Sequence, residues 1–348
     1  MVRPGPVYTG TRRVKTVNIL IAGGRGQLGT ALAMTAPAPV RSGRISCLGR
    51  ADLDITNQDV IHDVLDSEQP DLIINAAAYT AVDRAEDPAH QDAARAVNTD
   101  GAAYLAQAAA QAEIPFIHIS TDYVYGQNDA TEPDGGDESA NQTETSEPFV
   151  GGHAPLRVDT PTHPQSVYGR TKLAGDRAVQ AAFENTDVPS VIVRTAWVYS
   201  GSALPDHHDF VSTMMRLEQQ SRGDDSPHVR VVNDQWGSPT NVFDLARGLW
   251  ELSGASSATI SFPAILAPGS VVHCAGAGAC TWWDVARRVF AEVGADPDRV
   301  IPISTQDYPT AATRPHWSVL DNSSWLALGL TPLPAWEDGV HRAVTGVC

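Results

Sequence analysis

Five short apolar runs, each closed by a turn and followed by a helix-like stretch, constrain the fold of this chain more than any other feature. They read VNILIAG from Val17, RISCLGR from Arg44, DLIINAAA from Asp71, PFIHIST from Pro115 and SVIVRTA from Ser190. Such alternation of short apolar runs with helical stretches is what a parallel sheet covered by helices on both faces requires. A repeat of about 30 residues per strand and helix fits the same architecture. The expected fold class is therefore α/β, a Rossmann-like doubly wound parallel sheet. After Arg194 the order loosens through FVSTMMRLEQQ, VRVVNDQWGSPT and a Pro-rich ending, which reads as a smaller mixed α+β domain.

Composition excludes several classes. The chain has 348 residues, 42% of them hydrophobic, enough for a sizeable core. A formal net charge of −17 repels phosphate backbones and anionic membranes, so no nucleic acid or membrane partner is expected and any anionic ligand must be held locally. Cys47, Cys274, Cys280 and Cys348 lack CxxC spacing and are too few for a disulfide framework. The basic, Pro/Gly-rich start is followed only by VNILIA, too short for a signal core or a span. Residues 1–15 read as a flexible tail and the protein as cytoplasmic, where the sequons at Asn141 and Asn322 carry no meaning. Residues 127–164, rich in Asp, Glu, Pro, Gly and Thr, read as a long acidic loop. The run DHHD at 206–209 reads as a solvated loop, because adjacent histidines diverge on a regular element and no third ligand is suitably spaced. No metal site is assigned.

Directly after the first strand, GGRGQLG sets Gly23, Gly26 and Gly29 in the spacing G-x-x-G-x-x-G. Glycines there permit a tight turn and close approach of backbone to a pyrophosphate, while the helix opening at Gln27 and Leu28 presents its N–H groups to the anion. A dinucleotide site is expected. The second strand ends on Arg50, where an acid would grip the ribose 2′-hydroxyl of NAD; a guanidinium suits a 2′-phosphate, so NADPH is favoured with NADH allowed. Asp52 and Leu53, in ADLDIT, fall near the adenine end. These glycines define an NAD(P)-binding domain over 16–200. Residues 201–348 form mainly the substrate-binding domain, with 231–255 and 270–275 returning to the first.

Tyr168 and Lys172 in SVYGRTKLAGD stand four residues apart, on one face of a helix. Reducing a ketone with a hydride leaves an alkoxide that needs a proton. A tyrosine, with a pKa near 10 in water, supplies it when a cation pulls that value down. A hydroxyl is also needed at the carbonyl oxygen, and the fourth strand ends on Ser120 and Thr121 at the carboxyl edge of the sheet.

The ordered set GGRGQLG, NAAAYTAVDRAE, AVNTDG, STDYVYG, YGRTKLAGD, RTAWVYS, VVNDQWGSPT and TRPHWSVL, from Val17 to Leu320, resembles the extended short-chain dehydrogenase/reductase superfamily. Within it the wording is most similar to the dTDP-4-dehydrorhamnose reductase family. That resemblance implies NAD(P)H-dependent reduction of the C4 ketone of dTDP-4-dehydro-L-rhamnose to dTDP-L-rhamnose, in polysaccharide biosynthesis. It implies Tyr168 as proton donor, Lys172 as the cation that also holds the nicotinamide ribose, and Thr121 at the carbonyl oxygen. Asn98 would help a water link the lysine to solvent. Ala76, Ala77 and Ala78 would line the cofactor, and Thr80, Val82, Asp122, Tyr123 and Trp197 would surround the sugar. Dehydrating relatives carry a glutamate where this chain has Tyr123, so dehydration is disfavoured. The alternatives are an epimerase or dehydratase with tightly held NAD, or a non-catalytic regulatory subunit of the same fold. The expected partner is a nucleotide sugar, the assembly a monomer or homodimer. Some family members dimerise through Mg2+ held by glutamates, and no acid cluster here can be assigned to that ion.

Overall fold

The computed structural model describes residues 16–126, 153–222, 229–255 and 259–347. The expected tail and residues 127–152 of the acidic insertion lie outside them. Six strands, β1 (Asn18–Ala22), β2 (Arg44–Leu48), β3 (Leu72–Asn75), β4 (Phe116–Thr121), β5 (Ser190–Thr195) and β6 (Ser270–His273), form one sheet in the order β2-β1-β3-β4-β5-β6. Every neighbouring pair is parallel. From β1 the chain moves outward to β2 and then crosses back to β3, which makes the carboxyl ends of β1 and β3 the switch point where ligands bind in such sheets.

Successive residues of a strand point to opposite faces, and both faces are buried. Ile19, Ile21, Ile74, Ile117 and Val193 enter one core with Leu32 and Leu249 from helices. Leu20, Ile73, Phe116 and Ile192 enter another with Leu105 and Val179. Burial on both sides is why the runs read as continuously apolar. The helix Val167–Phe183 opens on Ser166, whose hydroxyl accepts from the Gly169 N–H at 3.0 Å.

The later half is interleaved. Helix Val242–Ser253 packs on helix Gln27–Thr35 beside the sheet, and β6 is the sheet's outer strand. By contrast, Val229–Val232 pairs with Val300–Ile303 in a separate parallel two-stranded sheet. Helices Phe210–Gln220, Trp282–Glu292 and Trp336–Thr345 close a third core around Val211, Val289, Phe290 and Val340.

The described end of the acidic insertion is partly exposed and is anchored through Leu156. Leu156 is buried, donates its N–H to Val319 at 2.7 Å and accepts from Asp321 at 2.8 Å. The Trp317 indole N–H donates to the Ala154 carbonyl at 3.0 Å. Among the described residues, no helix is long and apolar enough to cross a membrane.

Candidate active site

The cleft begins where β1 ends. Gly23 has φ +75°, and a Cβ on it would lie 2.6–2.7 Å from the backbone of Ala76 and Ala77, which follow β3; only glycine satisfies both demands. At Gly29 a Cβ would lie 2.5 Å from the Gly23 carbonyl oxygen and Gly24 Cα, so the first helical turn rests directly on the glycine turn. Gly26 is the N-cap of helix Gln27–Thr35, and no side chain caps it. Its first-turn N–H groups are thus left for an anion. Gly26, Gln27, Leu28 and Gly29 line a cleft of about 630 Å³, with Ala76 and Ala78 also on its wall. This backbone cradle fits the pyrophosphate of a dinucleotide.

The residues expected at the adenine end lie outside that cleft. Arg50 is 81% exposed and sits 3.6 Å from Asp54. Asp52 accepts a 2.8 Å hydrogen bond from Arg25, a cation that motif spacing does not single out although it lies within the glycine turn itself. Leu53 is buried in the core with Ile55 and Ile61, so it has no free face for a ligand. Ala77 shapes the glycine turn without lining the cleft.

Tyr168, Lys172, Thr121, Asp122 and Tyr123 all line the cleft. Thr121 donates to Asp122 at 3.0 Å and accepts from the Tyr123 N–H at 3.3 Å. The half-buried Tyr168 ring meets Tyr123 edge-on, centroids 5.6 Å apart. Burial pushes the Tyr168 phenol well above its ordinary range, against a hydrogen bond with the Thr121 side chain that lowers it. The phenol is therefore protonated at neutral pH, the form a proton donor needs. Burial also lifts Asp122 to about 6, against hydrogen bonds with Ser318 and Thr121. Thr195 Oγ1, buried and on the cleft wall, has no protein partner among the described residues.

Lys172 is 1% exposed, donates to the Ile119 carbonyl at 2.7 Å and approaches His118 Nε2 at 3.3 Å. Burial lowers its pKa to about 8, with Asp176 raising it. Asn98 is buried and held by side-chain hydrogen bonds. Its amide accepts from the Tyr79 N–H at 2.8 Å and donates to the Tyr79 carbonyl and Thr171 Oγ1, each at 3.1 Å, clamping the loop after β3 to the catalytic helix.

The rest of the lining is made of side chains from distant segments. Thr80, Val82, Tyr123 and Trp197 lie on it, joined by Arg314, His207, His208, Phe210 and Trp282. Arg314 donates to Asp83 at 2.6 Å and to the Tyr123 hydroxyl at 3.2 Å; burial pushes that phenol up to about 12. Trp197, at φ +46°, stacks on Trp282 with centroids 3.6 Å apart, and Gly237 covers its ring atoms on a side where a Cβ would strike the indole.

The DHHD run stays partly exposed, at Asp206 and His208, while His207, His208 and Asp209 also line the cleft. Asp209 Oδ2 collects the Gln27 side chain at 3.0 Å together with the N–H groups of Ser200 and Gly201, at 2.8 and 3.0 Å. His207 Nε2 lies 3.4 Å from Thr30 Oγ1. The capping pair Asp209 and Ser212 is legible in the sequence as a helix start; its place against the glycine turn is not. Among the described residues, no cluster of three or more His, Cys, Asp or Glu side chains could hold a metal.

Residues 17–347 match the family model described as the RmlD substrate binding domain. A dTDP-4-dehydrorhamnose reductase of Mycolicibacterium smegmatis is 37% identical over 334 residues, 96% of this chain and 87% of the relative. A dTDP-4-keto-6-deoxy-D-glucose reductase of Streptomyces niveus is 35% identical, covering 93% and 95%. The crystal structure of a Bacillus anthracis dTDP-4-dehydrorhamnose reductase in complex with NADP is 29% identical with a TM-score of 0.76, covering 95% of this chain and 99% of that one.

Proposed function

The chain belongs to the RmlD substrate binding domain family, and from that premise we propose that it is an NAD(P)H-dependent reductase of dTDP-4-dehydro-L-rhamnose, yielding dTDP-L-rhamnose. The observation that carries this reading is the convergence of Thr121, Tyr168 and Lys172 in one cleft with the glycine cradle. The bound nicotinamide supplies the hydride that C4 receives.

The protein's own residues do the rest. Thr121 positions the C4 oxygen by its hydroxyl, and Tyr168 gives that oxygen its proton as negative charge develops there. Lys172 offers the nearby positive charge that eases loss of the phenolic proton, and it holds the nicotinamide ribose. The uncapped first turn at Gly26–Gly29 binds the pyrophosphate. Trp197, Tyr123 and Arg314 border the sugar and its diphosphate. Arg25 and Arg50, near the end of β2, favour NADPH over NADH by pairing with a 2′-phosphate. Tyr123 directly after Asp122 leaves no second acid for dehydration. The Streptomyces niveus relative keeps open a 4-keto sugar of different configuration.

The test follows the loss of reduced-nicotinamide absorbance with NADPH or NADH and dTDP-4-dehydro-L-rhamnose, with Tyr168→Phe alongside. Wild type should turn over, faster with NADPH, while the variant loses at least about 100-fold in kcat and keeps its cofactor affinity. Near-normal turnover by Tyr168→Phe would refute the assigned acid. Turnover of the D-gluco-configured 4-keto sugar alone would reassign the substrate.

A further inference from the structure

Beneath the cleft, a chain of buried polar side chains crosses the sheet through residues that do not line the cleft. The Ala77 N–H donates to Asn75 Oδ1 at 3.1 Å, which turns the Asn75 amide so that Nδ2 donates to His118 Nδ1, also at 3.1 Å. The imidazole must then carry its proton on Nε2, which faces Lys172 Nζ at 3.3 Å. An N–H in that place can donate to a neutral amine but opposes an ammonium. One turn further along the lysine's own helix, Asp176 sets its Oδ1 3.9 Å from His118 Nε2, and its Oδ2 accepts from Arg194 Nε at 3.1 Å. Both His118 and Asp176 are buried.

We propose that His118 and Asp176 are positioning residues that set the charge of Lys172 in opposite senses, the carboxylate favouring the ammonium and the Nε2–H favouring the amine. The inference rests on the role given to Lys172 above. The other groups around the lysine are accounted for. β4 contributes the Ile119 carbonyl, and β5 contributes Arg194, which acts through Asp176. Tyr168 and Asp122 lie on the cleft side, and neutral Thr171, on the lysine's own helix, bonds neutral Asn98. Beyond Arg194, its Nη1 donates to the Tyr125 hydroxyl at 2.7 Å, which in turn meets His273 Nε2 at 2.6 Å. Burial holds both histidines neutral, with His118 far below its ordinary value and His273 near 4. Burial lowers the pKa of the Lys172 ammonium to about 8, from near 10, against Asp176, which raises it. Its charge, and the ribose grip and phenol acidity that depend on it, is then present below that pH and lost above it.

The first experiment is the pH dependence of NADPH affinity, read by nicotinamide fluorescence, for the wild type and four variants. Asp176→Asn leaves Arg194 and the imidazole N–H facing the lysine, so the alkaline loss of affinity should move down by about one pH unit or more. Asp176→Glu should restore it. His118→Gln, which can turn a carbonyl oxygen to the ammonium, should move it up. Tyr125→Phe breaks the same chain beyond Arg194 and should lower the melting temperature without moving the limb.

Shifts of His118→Gln and Asp176→Asn in the same direction, or a shift in Tyr125→Phe as large as in Asp176→Asn, would overturn the proposal. If Asp176→Asn does not fold, the lysine is titrated directly in the wild type by its 13Cε NMR shift, assigned with Lys172→Met. A midpoint near 8 supports the inference, and one at 10 or above overturns it. That titration needs no sugar, so a protein inactive on the 4-keto sugar but titrating near 8 would refute the substrate reading alone.

Discussion

The two walls of the cleft are built from different materials. Around the glycine turn the lining is mostly backbone: three glycines, a helix end with no cap, and the alanines after β3. Elsewhere it is side chains drawn from five separate stretches, Thr80 with Val82, Tyr123, Trp197 to Phe210, Trp282, and Arg314. A backbone site needs residues that are small, so it tolerates little addition. A side-chain site needs residues that are present, so it suffers by deletion.

That contrast makes Gly29→Ala the severest test on the cofactor side. The new Cβ meets main-chain atoms of Gly23 and Gly24 that cannot turn away. NADPH affinity should fall by about 100-fold, roughly 2.7 kcal/mol, with overpacking destabilising the fold by about 1–3 kcal/mol. Fluorescence titration and a thermal melt read both, and normal affinity would mean that the cradle is not made by close backbone approach.

Arg314→Ala is the corresponding deletion. It leaves Asp83 without its 2.6 Å partner and the Tyr123 hydroxyl without its donor. KM for the nucleotide sugar should rise by about tenfold, in keeping with loss of a charged hydrogen bond worth roughly 1.5–3 kcal/mol, while NADPH affinity stays unchanged. A loss of cofactor affinity instead would erase the division between the walls.

Asp122→Asn acts on stability and sharpens the boundary between them. The buried carboxyl titrates at about 6, above its ordinary 3.8. Between these values the folded state binds more protons than the unfolded one, so stability falls as pH rises through that window. Two pKa units correspond to at most about 3 kcal/mol, so Asp122→Asn should be more stable than wild type by about 1–3 kcal/mol above pH 6.5. The difference should vanish near pH 4, where the wild type is also neutral. Urea unfolding at both pH values decides it, and a constant difference would mean that the charge is not the cause.

The legibility of each wall follows from its material. Glycine spacing after an apolar strand is a local signal, and so is a Tyr and Lys pair one helical turn apart, so both are legible in the sequence alone. Arg314, His207 and Trp282 carry no local signal, because each becomes part of the cleft only when the chain returns from a distant element. Arg50 and Asp52 are legible as charges, yet their pairing with Asp54 and Arg25 is not, and neither is the burial of the Leu53 side chain in the core. Asn98 is legible by its residue type and motif, while the hold of its amide on Tyr79 and Thr171 is not.

Local sequence is enough to dictate the parallel sheet, the glycine turn and the placing of Tyr168 and Lys172 on one helical face. Those depend on period, on glycine conformation and on i, i+4 geometry, all properties of neighbouring residues. Folding in three dimensions decided which distant side chains line the cleft, that the histidines at 207–208 are among them, and that Lys172 is buried beside His118, itself 3.9 Å from Asp176. Burial and long-range pairing set those outcomes, because the free energy of a charge depends on everything folded around it and not on its neighbours in the chain.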